Sequence, residues 1–169
     1  YPWPWRGQVS PEHTALILVS PGAAPPRQVD PQPPALGPIR ERVKDLAGRV
    51  GLSVEVQAGL GAGPGEAALP GAVRLTSHGW SGFYGSGLEP LLARHHIHDL
   101  LLAGAYLEIG VHSTMRAAND RGLECLLLSD ACLSADPALE AAALSSIEMS
   151  GGIFGAVGTT SAALAAYSS

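Results

Sequence analysis

Four short runs of apolar residues, 15–19, 52–56, 100–103 and 125–128, are each of strand length. Between them, apolar positions recur with helical spacing at 38–51, 87–95, 108–122 and 137–149. Three of the runs, 15–19, 100–103 and 125–128, are continuously apolar rather than alternating with polar residues, the pattern of strands covered on both faces. Two weaker runs, 73–76 and 153–157, bring the expected number of strands to about six. Strands alternating with helices predict an α/β fold: three layers, doubly wound, with a mostly parallel sheet and helices on both faces. In such a sheet, ligands lie at the carboxyl ends of the strands near the point where strand order reverses.

Two stretches break the periodicity. Residues 20–38 read SPGAAPPRQVDPQPPALGP, whose prolines favour a stiff, extended loop. Residues 58–71 are rich in glycine, but no Gly-Lys-Ser/Thr follows them, so a loop and not a phosphate cradle is expected. With 169 residues, 46% of them hydrophobic, the chain is expected to form one domain over 1–169, preceded by an arm at 1–12. A net charge of -5 without a cluster of Lys and Arg argues against nucleic acid. The apolar runs fall well short of the roughly 20 residues a membrane helix needs, and no signal-peptide pattern is visible. A soluble, cytoplasmic protein is expected. Cys125 and Cys132 suit a reducing compartment, as small core residues and not a redox pair.

The most specific signal runs from Ser77 to Pro137. Ser81, Phe83 and Gly85 form a Ser-x-Phe-x-Gly segment ahead of a helix. Val111, Ser113, Thr114, Arg116, Ala118, Asp120, Arg121 and Gly122 fit a helix of the form Cys-Val-x-Ser-Thr-x-Arg-x-Ala-x-Asp-Arg-Gly, with Gly110 in place of the cysteine. Asp130, Ala131, Cys132, Ser134, Asp136 and Pro137 then copy an Asp-Ala-Cys-x-Ser-x-Asp-Pro turn. Together these resemble the isochorismatase-like superfamily, also called the cysteine hydrolases. The resemblance implies a nucleophilic cysteine activated by an aspartate at the end of the first strand and a lysine shortly before the Ser-x-Phe segment. Those three positions read Ser20, Ser77 and Gly110 here.

A cysteine hydrolase needs a thiolate, hence a base and a nearby positive charge. Glycine, serine and serine supply none of these. Isochorismatases within the superfamily also carry glycine at the cysteine position, and work through the aspartate that Ser20 replaces. The resemblance therefore implies a hydrolase homologue without catalysis, acting as a structural or regulatory subunit or as a small-molecule binder. Its pocket would be formed by Ser20, Ser77, His78, Phe83, Tyr106, Glu108 and Gly110. It also implies a cis peptide within 104–107, and a homo-oligomer or a hetero-oligomer with an active paralogue. No cofactor and no metal is expected.

A rival reading rebuilds the machinery, with His78 or His112 as base for a serine and Glu108 in support, since histidine titrates near neutrality. Glu108 and His112, four apart, also have the spacing of a metal pair, although a solvated contact is the commoner outcome. Asp30 and Arg74 are the nearest replacements for the lost charges. His95, His96 and His98 lie between a helix end and a strand and are expected to satisfy the helix's last carbonyls. Trp3 and Trp5 make the arm aromatic, to be packed on a neighbouring subunit or folded back on its own domain.

Overall fold

The computed structural model describes residues 2–22, 34–59 and 69–167. Six strands, β1 (Thr14–Pro21), β2 (Leu52–Ala58), β3 (Val73–Thr76), β4 (Asp99–Ala105), β5 (Glu124–Leu133) and β6 (Ala156–Gly158), form one sheet in the order β3-β2-β1-β4-β5-β6. Every pairing is parallel. The helices are α1 (Gly37–Ala47), α2 (Leu88–Arg94), α3 (His112–Asn119), α4 (Glu140–Glu148) and α5 (Thr160–Ala166). A π-helical turn (Leu107–Val111) leads into α3 and a 3-10 turn (Pro137–Leu139) into α4.

Strand β1 shows why its run is unbroken. Ala15, Ile17 and Val19 join the core beneath α2, α3 and α4, while Leu16 and Leu18 join the core beneath α1 and α5. All five are fully buried, each large side chain contributing roughly 1.5–3 kcal/mol. The expected doubly wound α/β fold is thus the observed one.

Some boundaries differ from the expectation. The run at 153–157 supplies the sixth strand only in its last two residues: Ile153 is 62% exposed in a turn, and β6 starts at Ala156. Gly151, Gly152 and Gly155 all take positive φ there, which keeps Ile153 and Phe154 out of the sheet. The helix expected at 108–122 opens with the π-turn at Leu107 and closes at Asn119. Helix α5 was not expected. Most of the two expected loops, residues 23–33 and 60–68, lies outside the described residues, as does Asp30.

Two charged anchors organise the elements. Glu55, buried within β2, accepts from Arg40 Nη2 of α1 at 2.6 Å and Nε at 3.2 Å, and from the Leu69 amide at 2.8 Å. Asp130 of β5 accepts from the Thr160 amide and hydroxyl, at 2.9 and 2.6 Å, and so seats the start of α5. These two bonds, with Arg42 nearby, hold the Asp130 carboxyl below the usual carboxylate range against the upward push of burial.

The arm folds back on its own domain. Trp3 packs against the core beneath α1 and α5, Pro4 is buried after a cis Trp3–Pro4 bond, and Trp5 stays 71% exposed. Arg6 pairs with the fully buried Asp99, and the Trp5 amide donates to Glu124 at 2.5 Å. Among the described residues, no helix is long and apolar enough to cross a membrane.

Candidate active site

Chain order reverses between β1 and β4, so the carboxyl ends of these strands form the switch point. They approach unusually closely there. Gly104 lies opposite Val19, and a Cβ on Gly104 would stand 1.9 Å from the Val19 carbonyl oxygen, so only glycine fits. The next peptide, Ala105–Tyr106, is cis, within the segment where the resemblance placed one. The chain then enters the π-turn that contains Gly110.

Three motif segments are tied together at this point. The Thr114 hydroxyl donates to the Gly110 carbonyl at 2.7 Å and accepts from the Gly82 amide at 2.8 Å. The start of the helix and the Ser-x-Phe loop thereby share one bridging hydroxyl. Arg121 donates to Glu89 of α2 at 2.8 Å and lies 4.7 Å from the Phe83 ring. Gly122 takes φ 73° and closes α3, with the Leu123 amide donating to Ala118 and that of Gly122 to Asn119. Ser81, Thr114, Arg121 and Gly122 therefore carry architecture.

Gly110 is buried at the centre of this arrangement. A Cβ placed there would meet Val19 Cγ1 at 3.2 Å, the Trp80 carbonyl oxygen at 3.5 Å and the Ala105 carbonyl oxygen at 3.7 Å. A side chain would need only a small shift of one methyl group. Its surroundings are apolar or electron-rich, and no cation is among these nearest atoms. Trp80, which nothing in the sequence pattern singled out, also lays its ring over Gly59, where a Cβ would stand 2.9 Å from Cζ3.

The two serines at the triad positions are both buried. Among the described residues, the Ser20 hydroxyl has one long contact, 3.5 Å to the Val56 carbonyl oxygen. Ser77 follows β3 directly, and its hydroxyl reaches the carbonyls of Gly79 at 2.8 Å and Ser81 at 2.6 Å while accepting from the Gly79 amide. It staples the turn that carries the Ser-x-Phe segment. Among the described residues, neither hydroxyl is bonded to a histidine or a carboxylate.

The alternative residues do not converge on these serines. His78 is exposed and its ring lies against Gly85. His112 accepts from Arg116 Nε at 3.2 Å and meets the Phe154 ring edge-on at 5.9 Å. Burial, with Arg116 adding to it, pushes the His112 imidazole below its usual range. Glu108 reaches the other way, accepting from the Asp136 amide at 2.9 Å, while its second oxygen is buried without a hydrogen-bond partner among the described residues. The Glu108 and His112 pair thus does not meet over a metal, and no group of three potential ligands occurs among the described residues. Arg74 lies two residues before the end of β3, beside Glu55 and short of the crevice.

Of the seven residues expected to line one pocket, two pack in the cores on opposite faces of the sheet. Phe83 is buried in the core beneath α2, α3 and α4, and Tyr106 in the core beneath α1 and α5. What the fold brings together at the switch point is Val19, Ala105, Gly110 and the Trp80 carbonyl. The histidines after α2 also differ from the expectation: the amides of His95 and His96, not their rings, satisfy the helix carbonyls. Both thiols are held protonated, Cys125 pushed up by burial and Cys132 pushed up to about 12 by the same cause.

Comparison with known proteins accords with this geometry. Residues 57–162 match the family model for the isochorismatase domain. An uncharacterized isochorismatase family protein of Escherichia coli O157:H7, YecD, is 36% identical over 63 residues, which are 37% of this chain and 34% of that protein. The chain thus matches about a third of the length of that curated relative. A cysteine hydrolase from Pseudomonas syringae pv. phaseolicola superposes with a TM-score of 0.74 at 16% identity, covering 95% of this chain and 94% of the other. An isochorismatase family protein from Burkholderia thailandensis does so with 0.72 at 22% identity, covering 96% and 98%. The family model covers well over half the sequence and the fold agrees along nearly all of it: this chain belongs to the isochorismatase family.

Proposed function

We propose that this chain is a non-catalytic isochorismatase-family hydrolase homologue that serves as a structural or regulatory subunit, binding and not turning over small molecules. The observation that carries the reading is Gly110. It occupies the nucleophile position of the helix motif, and the atoms nearest a side chain there are a methyl group and two carbonyl oxygens. None of those three atoms would lower the pKa of a thiol, and carbonyl oxygens oppose an anion. Ser77, at the lysine position, uses its hydroxyl within its own turn, and among the described residues no base is bonded to Ser20. A cooperative catalytic set that has lost every member retains little rate enhancement.

The test restores the thiol alone. Gly110→Cys is expected to fold, and its thiol to react with iodoacetamide no faster at pH 7 than an ordinary thiol of pKa near 8.5. Across a panel of small primary amides, neither wild type nor variant is expected to hydrolyse substrate above background. Wild-type turnover abolished by Ser20→Ala, with the melting temperature unchanged, would overturn the reading in favour of a serine-based hydrolase.

A further inference from the structure

Two histidines meet at the amino edge of the sheet, the end away from the switch point. His13 ends a 3-10 turn, Pro11–His13, just ahead of β1, and His98 immediately precedes β4. Thr14 lies opposite Asp99 in the parallel register, so His13 and His98 are the pair one step before it, at the entry to the two central strands. The backbone fixes them there. The His98 amide donates to the His13 carbonyl at 2.9 Å, and the Glu124 amide donates to the His98 carbonyl at 3.0 Å.

The ring centroids stand 5.4 Å apart, with the ring planes tilted by 52°. Packing of aromatic rings alone favours an offset stack or a perpendicular edge contact, and this tilt is neither. With metal–nitrogen bonds of about 2.1 Å, an ion held by two imidazoles at a tetrahedral angle sets their centroids about 5 Å apart. The observed separation is therefore close to the one a shared ion imposes. His13 Nδ1 is buried without a hydrogen-bond partner among the described residues, whereas a buried histidine kept for packing normally has that nitrogen satisfied. His98 is exposed, which leaves the pair open to solvent on one side. Each ring also has a carboxylate within electrostatic reach, Glu12 for His13 and Asp99 for His98. Because Arg6 already pairs with Asp99, that attraction is modest, and the nitrogen donors decide the choice of ion. Imidazole suits zinc and its neighbours in the transition series, while magnesium and calcium take oxygen.

We propose that His13 and His98 form a two-imidazole clip for a divalent transition-metal ion such as Zn2+, with water completing its coordination. No group of three potential ligands occurs among the described residues, so the affinity is that of two nitrogens and not of a closed structural site. The ion fastens the entry of β1 to that of β4, the two strands whose other ends form the switch point. This does not depend on whether the chain hydrolyses anything.

Calorimetric titration of the 169-residue chain, without a histidine tag, with ZnCl2 tests the clip. One ion per chain is expected, with a Kd on the order of 10 μM, and 100 μM Zn2+ should raise the melting temperature by about 3 °C over that in EDTA. His13→Asn and His98→Asn should each weaken binding at least about tenfold and remove that rise, while His95→Asn leaves both within about twofold of wild type. His98 being exposed, His98→Asn is expected to melt like wild type in EDTA, so the test stands even if His13→Asn fails to fold. Absence of binding up to about 1 mM Zn2+ overturns the proposal, as does binding that His98→Asn leaves unchanged or that His95→Asn weakens equally. Displacement of the zinc by equimolar Mg2+ also overturns it, since that identifies a carboxylate site and not an imidazole one.

Discussion

His96 closes α2 in the left-handed region, at φ 52°, with its amide bonded to the Ala93 carbonyl and that of Ile97 to Leu92. This is the Schellman arrangement, in which buried Ile97 and Leu92 make the accompanying apolar contact. Gly122 holds the equivalent place after α3 without the steric cost that a side chain incurs there, about 1–2 kcal/mol. His96→Gly is therefore expected to raise stability by roughly 0.5–1 kcal/mol, the extra freedom of glycine in the unfolded chain taking back part of the gain, as read from urea unfolding. Single residues were unevenly legible. Gly110 could be assigned because Val111, Ser113, Thr114 and Arg116 fix its register. The staple formed by Ser77 and the place of Trp80 could not, since both depend on how the 77–85 turn folds back on itself, and no period in the sequence describes a turn.

At the scale of elements, the closest contact is the one between β1 and β4. Gly104→Ala would force these strands apart where a Cβ has no space, beside the Val19 carbonyl. A loss of more than about 3 kcal/mol is expected, seen as a collapse of the denaturation midpoint or failure to recover folded protein. Gly110→Ala, which meets only one movable methyl group closely, is expected to stay within about 1 kcal/mol of wild type. The contrast between two glycines six residues apart checks the geometry of the switch point. The runs at 15–19, 100–103 and 125–128 were legible because burial on both faces leaves no polar position to blur them, whereas β2 carries Ser53 and the buried Glu55. Strand β6 was expected to start three residues early because Ile153 and Phe154 are apolar yet belong to a glycine turn. Helix α5 was missed although its start is marked by Thr159, whose hydroxyl accepts from the Ala162 amide as an N-cap. Its run of alanines has too little contrast between faces to register as periodic.

For the molecule as a whole, the amino-terminal arm and the sheet are joined by one buried charge. Burial pushes the Asp99 carboxyl above the usual carboxylate range, and the Arg6 guanidinium opposes that shift. A carboxylate whose folded-state pKa is raised favours the folded state most below its unfolded value near 3.9, and that stability is lost as pH rises through the folded value. Removing the arginine increases the cost of the ionised form. Arg6→Ala is therefore expected to cost about 2 kcal/mol at pH 7, Arg6 being itself partly exposed, and distinctly less at pH 4. Asp99→Asn in the Arg6→Ala background should flatten that difference in thermal melts recorded across the same pH range. A second buried carboxylate has a consequence of another kind. Glu55 fastens Arg40, just after the first proline-rich stretch, and the Leu69 amide, near the end of the glycine-rich one. Both segments return to the framework at a single interior post. Lengthening a loop closed at such a post costs only about 0.6 kcal/mol per doubling of its length. A combinatorial library confined to the intervals 23–33 and 60–68 is expected to yield mostly folded proteins, turning the framework into a display frame for new recognition.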